Sequence, residues 1–343
     1  MNPNPIRLFF VIILILTSIK ITGQPIPTST PIRDEIKKIT DAMAKYNSVD
    51  SRGVGYAGQR TEQYNRYEKL KQDATDAELI ALTDNSNPVV RCYAFNALAN
   101  RKNPNVIPIL VRHLKDTAGV NTFFGCIVST TKVGDYFLNV FNPNPVDMDV
   151  DKLADDQMAD IQRILIFDKD IKIESKYRLL ATTRFPASYH ERIREIAMEE
   201  KRPEAALALA RYRDRNDIDI IKQFFANEKN EYYAIYAVRE FPDAAFYFDL
   251  TTIFEREWAK KYYDYPKWRI LYQALAQYPS QNTCNLFERV TKSDDDFRYR
   301  TLGSDLLIAI TKFPNSLFEP LKQKIKLDES GMREVKKFMQ SEP

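Results

Sequence analysis

Few residues in this chain are equipped for catalysis or metal binding, and their spacing limits what they could do. Only two histidines occur, His113 and His190, each on the polar side of a predicted helix beside Arg112 and Glu191. No serine or cysteine can be set opposite either one, and zinc would need more ligands than they supply. Both are expected at the surface. Ser129-Thr-Thr-Lys132 spells SxxK, but the serine enzymes that use this spacing also need Ser-Asp-Asn and Lys-Thr-Gly elements. Neither is present. Asp147, Asp149 and Asp151 alternate like the start of an EF-hand loop, which requires glycine sixth and glutamate twelfth. Lys152 and Met158 stand at those places, so a solvated acidic loop is expected. Gly53-Val-Gly55-Tyr-Ala-Gly58 spells GxGxxG, but a dinucleotide site needs a buried strand before it and a helix on a parallel sheet after it. The preceding AMAKYNSVDSR lacks strand character, which predicts a turned loop between two helices. No catalytic, cofactor or metal site is assigned.

The window 224–278 is far richer in aromatic residues than the chain as a whole, at 12%. One reading is a wide core filled by large side chains. The other is an exposed patch of Trp258, Tyr262, Tyr263, Tyr265 and Trp268, interleaved with Lys260, Lys261, Lys267 and Arg269. Trp, Tyr and Arg are the types that dominate binding hot spots.

The elements that must carry these residues read as helices. In Asp84–Asp116, Asn87 can cap a helix with Pro88 in its first turn. Val90, Ala94, Ala97 and Leu98 follow at helical spacing, and after Pro104 a second helix carries Ile107, Leu110, Val111 and Leu114. Each helix should show one apolar face, which only stacking on neighbours can bury. Upstream, a helix should start at Pro31 with Thr30 as cap, and Thr75-Asp-Ala-Glu78 is a capping box. Downstream, Ala-x-x-x-[Phe/Tyr]-Pro recurs at Ala181–Pro186, Ala237–Pro242, Ala274–Pro279 and Ala309–Pro314. A fifth copy, Ala208–Tyr212, has Arg213 in place of proline. The aromatic should end one helix and pack across the hairpin, while proline forbids continuation. Repeats then run 170–200, 201–228, 229–262, 263–293 and 294–327, with a terminal helix over 329–340. No glycine occurs between Gly134 and Gly303, which suits stacked helices. Residues 117–167 depart from the pattern, with β-branched and aromatic residues over 120–133 that would allow a short β-hairpin.

Composition agrees with a folded chain, at 44% hydrophobic and 28% charged residues. The formal charge of +3 falls to +1 without Arg7 and Lys20, giving no electrostatic reason to expect nucleic acid. Cys92, Cys126 and Cys284 show no metal-ligand spacing, and Cys92 and Cys284 read as buried small hydrophobes. Arg7 precedes LFFVIILILTSI, too short for a comfortable span of about 20 residues. It reads as a secretory signal peptide cleaved after Gly23, with an uncleaved anchor as the alternative. That places the mature chain outside the cytoplasm, periplasmic or secreted.

Asp84, Pro88, Val90, Arg91, Ala94, Ala97 and Leu98 resemble the first helix of a HEAT repeat, and Val106–Leu110 to Leu114–Asp116 resembles its second. The resemblance implies an all-α fold, an α-solenoid of stacked helical hairpins with one irregular insert. Its parts are a signal peptide (1–23), a linker (24–30), capping helices (31–74), a repeat (75–116), the insert (117–167), further repeats (168–327) and a terminal helix (328–343). It also implies a non-catalytic scaffold that binds another protein through second-helix residues. Arg112, His113, Arg192, Lys222, Arg256, Trp258, Arg289 and Lys322 are the candidates, joined by Tyr262, Tyr263, Tyr265 and Trp268 of the aromatic loop. Two alternatives remain. One is a lyase- or hydrolase-type enzyme with a cleft made by Asp135, Tyr136 and Asp147. The other is carbohydrate binding by the 258–268 loop.

Overall fold

A computed structural model describes residues 30–141 and 150–341. The signal segment 1–23, all of the linker but Thr30, and Asp147 and Asp149 lie outside the described residues. Among the described residues, no helix is long and apolar enough to cross a membrane. The chain divides after Ala154 into two compact units.

The first unit contains α1 (Asp34–Tyr46), β1 (Val49–Val54), α2 (Glu62–Asp73), α3 (Asp76–Leu82), α4 (Pro88–Asn100), α5 (Val106–His113), β2 (Gly119–Gly125), β3 (Ile127–Lys132) and α6 (Val133–Asn139). Helix α4 is its axis. Asn87 caps it through the Val89 and Val90 N–H groups, and ten of its residues are buried, from Val89 round to Ala99. The expected single apolar face is therefore a correction: α4 is covered on every side, as a helix apolar all round must be. Phe95 stacks on Phe137 of α6 with centroids 3.9 Å apart, and the Tyr93 hydroxyl accepts the Asp50 N–H of β1 at 2.8 Å.

The all-α expectation holds for most of the chain but not here. Strands β1, β2 and β3 form a three-stranded sheet, with β1 parallel to β2 and β2 antiparallel to β3. The β2–β3 hairpin falls where the β-branched run allowed one. Strand β1 lies where a loop was expected, because Val-Asp-Ser-Arg-Gly-Val shows no clean alternation and finds its partners, Thr122 and Phe123, far along the chain. Helix α1 likewise begins later than Pro31. Arg33 is held extended by Glu78, which accepts both its backbone N–H (3.1 Å) and its Nε (2.9 Å).

The second unit contains α7 (Asp155–Phe167), α8 (Glu174–Thr182), α9 (His190–Glu195, continued by a π-helical turn Ile196–Glu200), α10 (Pro203–Ala210), α11 (Ile218–Lys222), α12 (Glu231–Glu240), α13 (Tyr247–Ala259), α14 (Tyr265–Leu275), α15 (Gln281–Thr291), α16 (Asp296–Lys312), α17 (Glu319–Lys324) and α18 (Glu329–Ser341). Helices α8, α10, α12, α14, α16 and α18 pack each on the next, and each odd-numbered helix from α9 to α15 packs on the even-numbered helix after it.

The recurrent turns explain this order. Pro186, Pro242 and Pro314 each precede a 3₁₀ turn, at Ala187–Tyr189, Ala244–Phe246 and Ser316–Phe318. Where proline is replaced, Arg213 takes a left-handed φ of 56° instead. The turns are tied to their neighbours by later residues. The Tyr212 hydroxyl donates to the Pro186 carbonyl at 3.1 Å, and that of Tyr278 to the Asp243 carbonyl at 2.8 Å. Arg211 donates to the Leu180 and Thr183 carbonyls at 3.0 and 2.8 Å, and Gln277 to the Arg239 carbonyl at 2.8 Å. The Leu180, Thr183 and Arg239 carbonyls lie at helix ends, where the helix supplies no partner of its own, while those of Pro186 and Asp243 also accept the Tyr189 and Phe246 N–H groups of the turns that follow them.

Candidate binding site

Three helices of the second unit converge on a cavity of about 280 Å³. On α12, Tyr232, Tyr236 and Arg239 recur at four- and three-residue spacing, which puts them on one face. On α14, Tyr265, Arg269 and Gln273 recur at four-residue spacing on one face, with Pro266 and Ile270 beside them, and Phe338 of α18 completes the wall. Asp264 caps α14 by accepting the Lys267 N–H, so Pro266 sits in the first turn, where its missing N–H costs nothing.

The two arginines are held in place. Arg239 lies over the Tyr236 ring, 4.0 Å from its centroid, and donates to Gln273 Oε1 at 2.9 Å. Arg269 lies 4.8 Å from the Phe338 centroid and donates to Asp305 at 2.6 Å and Glu334 at 2.9 Å. Burial pushes the Asp305 carboxyl up to about 6, although Arg269 works against it. Gln273 is fully buried, yet its Nε2 has no hydrogen-bond partner. Among the described residues, no carboxylate, imidazole, thiol or aliphatic hydroxyl lines this cavity.

Of the residues expected to meet a partner, Tyr265 lines this cavity; the others lie elsewhere, and most are already engaged. Arg192 is a correction: it is buried, donating to the Ile166 carbonyl at 2.9 Å and to Glu200 at 3.1 Å. Lys222 pairs with Asp249 at 3.1 Å, Arg289 with Glu255 at 2.6 Å and Lys322 with Glu319 at 3.1 Å. The first two pairs link successive odd-numbered helices. Arg256 enters a knot of charge where Glu231 accepts from it at 2.6 Å and from Lys267 at 2.7 Å. Burial opposes ionisation of the neighbouring Glu257, but hydrogen bonds from Lys260 and Arg256 outweigh it and hold the carboxyl below the usual range. Glu228, Glu231 and Glu257 are close enough to share a metal ion, but three cationic side chains already sit among them.

Trp268 is a second correction, being only 1% exposed against Phe254 and Tyr272. Trp258 is half-buried, with the Arg289 and Arg298 guanidiniums 4.9 and 4.6 Å from its centroid. Neither indole is free to stack on a sugar ring. Tyr263 accepts a hydrogen bond from Arg298; Tyr262 is exposed; of the aromatic residues of this loop, Tyr265 lines the cavity. The sequence reading thus missed Arg239, Gln273 and Phe338. The spacing of Tyr232 with Tyr236, and of Tyr265 with Arg269 and Gln273, was the signal that could have found the site.

In the first unit, Arg112 pairs with Asp84 at 2.8 Å. His113 is not at the surface: it is buried against Phe137, with Asp84 and Asp116 at 3.1 and 3.4 Å, and burial pushes its pKa down. His190, in the second unit, is half-buried and meets the fully buried Asp217 at 2.6 Å. Asp135 and Tyr136, set at a cleft in the enzyme reading, are both buried, and Asp147 lies outside the described residues. Ser129 and Lys132 lie on β3, where a spacing of three puts them on opposite faces, and the Ser129 hydroxyl is bonded to Thr122 at 2.8 Å. The GxGxxG loop does follow a strand, but its N–H groups are used internally. Gly55 donates to the Gly125 carbonyl, Gly58 to Gly55 and Gln59 to Val54, so those amides cannot cradle a phosphate.

No protein-family model, curated protein or solved structure matches the chain.

Proposed function

We propose that the protein is an exported, non-catalytic repeat scaffold whose second unit is an α-solenoid of HEAT-like hairpins. It binds a segment of another protein on the face made by α12, α14 and α18. The single observation that carries this reading is the cavity of tyrosines and arginines on those helices. Tyr and Arg are hot-spot residues because they supply contact area and directed hydrogen bonds together. The HEAT resemblance pointed to the second helices as the contact surface. Their basic residues are engaged in intramolecular ion pairs, and the open aromatic surface lies on the first helices. Export rests on the apolar run Leu8–Ile19.

Crosslinking and affinity purification of the native chain from the envelope of its own cells tests the reading, run beside Tyr236→Ala and Lys222→Ala. Proteins recovered with the native chain and Lys222→Ala but lost with Tyr236→Ala are expected. Identical recovery from all three would overturn the assignment of the face.

A further inference from the structure

The 3₁₀ turns before α11, α13 and α17 are built alike. Asp214, Asp243 and Asn315 cap them, each side chain accepting the N–H two residues on. The residue that closes each turn is fully buried: Phe246 before α13, Phe318 before α17 and Asp217 before α11. A carboxylate thus stands where the fold elsewhere places a phenyl ring, in the copy whose proline is replaced by Arg213. Burying a charge costs more than burying a ring, so packing does not account for Asp217. What surrounds it is a ligand set. His190, at the start of α9, meets Asp217 Oδ2 through Nε2 at 2.6 Å, and the Tyr212 ring holds the imidazole from one side, 4.4 Å between centroids. Asp214 stands beside them: one ring nitrogen of His190 and one carboxylate oxygen of each aspartate lie within 4.8 Å of one another. Arg194 comes within 3.1 Å of Asp217 Oδ1, yet that oxygen receives no hydrogen bond among the described residues. One guanidinium against two carboxylates leaves a negative charge, whereas the group of Glu228, Glu231 and Glu257 already holds three cations.

We infer that His190, Asp214 and Asp217 form a site for one divalent transition metal of the zinc class. An imidazole joined by carboxylates suits such an ion, while calcium takes about six to eight oxygens. Zinc holds nitrogen and oxygen ligands at about 2.0–2.2 Å in a tetrahedron, so its ligand atoms stand about 3.3 Å apart. His190 and Asp217 have to part only slightly from their hydrogen-bonded distance. The metal takes the place of the hydrogen between them, and the imidazole carries its own hydrogen on Nδ1. His190 and Asp214 are half-buried, which leaves a way in from solvent and a fourth position for water. The ligands come from α9 and from the turn before α11, so a bound ion fastens two successive hairpins at the joint that lacks a proline. The site is separate from the α12–α14–α18 face and does not depend on its assignment.

Titration calorimetry of the full, chelator-treated chain with zinc chloride tests it, in a Cys126→Ser background that removes the exposed thiol. One zinc per chain is expected, and calcium chloride should give no comparable binding. His190→Asn and Asp214→Asn should each weaken zinc binding about tenfold or more. Asp84→Asn, beside His113, and Glu228→Gln, in the other acidic group, should leave it unchanged. Circular dichroism checks that each variant folds. Because an ion bound only to the folded chain stabilises it, saturating zinc should raise the melting temperature of the parent chain and not that of His190→Asn. Absence of zinc binding, or binding and stabilisation indifferent to His190→Asn, overturns the inference. So does calcium bound as tightly as zinc, or zinc binding lost with Glu228→Gln in place of His190→Asn.

Discussion

The Tyr278 hydroxyl donates to the Asp243 carbonyl at 2.8 Å, across one hairpin and back along the chain. Tyr247 packs against the same ring, 5.4 Å between centroids. Removing the hydroxyl leaves a half-buried carbonyl without this partner. Tyr278→Phe should therefore lower stability by about 1 kcal/mol, read as a fall in the urea midpoint of the helical circular dichroism signal. An unchanged midpoint would mean that the bond contributes nothing to holding the hairpins together.

Glu78 joins a capping box to Arg33 and is almost fully buried. The hydrogen bond from Arg33, aided by backbone N–H donors, holds its carboxyl at about 2, below the usual 4.5, against the effect of burial. A depressed carboxyl stabilises fully above its unfolded pKa, and that contribution is lost as pH falls from about 4.5 towards 2. Glu78→Gln, which keeps the cap but not the charge, should cost about 1–2 kcal/mol at pH 7. The deficit should shrink on acidification, because the native side chain also becomes neutral. A deficit constant from pH 7 to pH 3 in urea titrations would rule out the charge as its source.

Asp305 behaves in the opposite sense. Burial raises its carboxyl to about 6, so the folded state holds the proton more tightly than the unfolded chain, whose value is near 3.8. Its ionisation costs stability, and lowering the pH from 7 through 6 relieves that cost. Carboxyl carbon NMR should show Asp305 titrating near pH 6. In Asp305→Asn, the gain in melting temperature between pH 7 and pH 5 should be smaller than in the native chain. Titration near 4 would show that the ion pair with Arg269 outweighs burial.

Cys126 at the β2–β3 turn is the exposed cysteine, while Cys92 and Cys284 are buried, with burial pushing both thiols up. A thiol reagent applied to the native chain should modify Cys126 quickly and the other two only on unfolding. Fast modification of two or three thiols in the native chain would contradict the burial of Cys92 and Cys284.

What was legible in the sequence was local. Asn87 before Pro88 and the Thr75–Glu78 box announce helix starts because their signals act over three or four residues. The Phe/Tyr-Pro turns did the same for the second unit. What escaped depended on distant partners. Val49–Val54 becomes a strand only because Thr122 and Phe123 lie beside it. His113 looked like a surface residue until Phe137 covered it. The cavity was half visible: Tyr232 and Tyr236 repeat at helical spacing, but nothing local brings Phe338 to Arg269. Trp258 and Trp268 drew notice as types common at interfaces, and one was core while the other was clad in arginine.

Arg211, Tyr212, Gln277 and Tyr278 all complete the end of a hairpin that precedes them. A ribosome makes the chain from its N-terminus. Each of those hairpins is therefore born with its last carbonyls open, and the residues that close it are translated only after it has emerged. Assembly then has a direction at these two places, with α10 finishing the end of α8 and α14 finishing the end of α12. A stalled or truncated chain exposes an unfinished end at its newest edge.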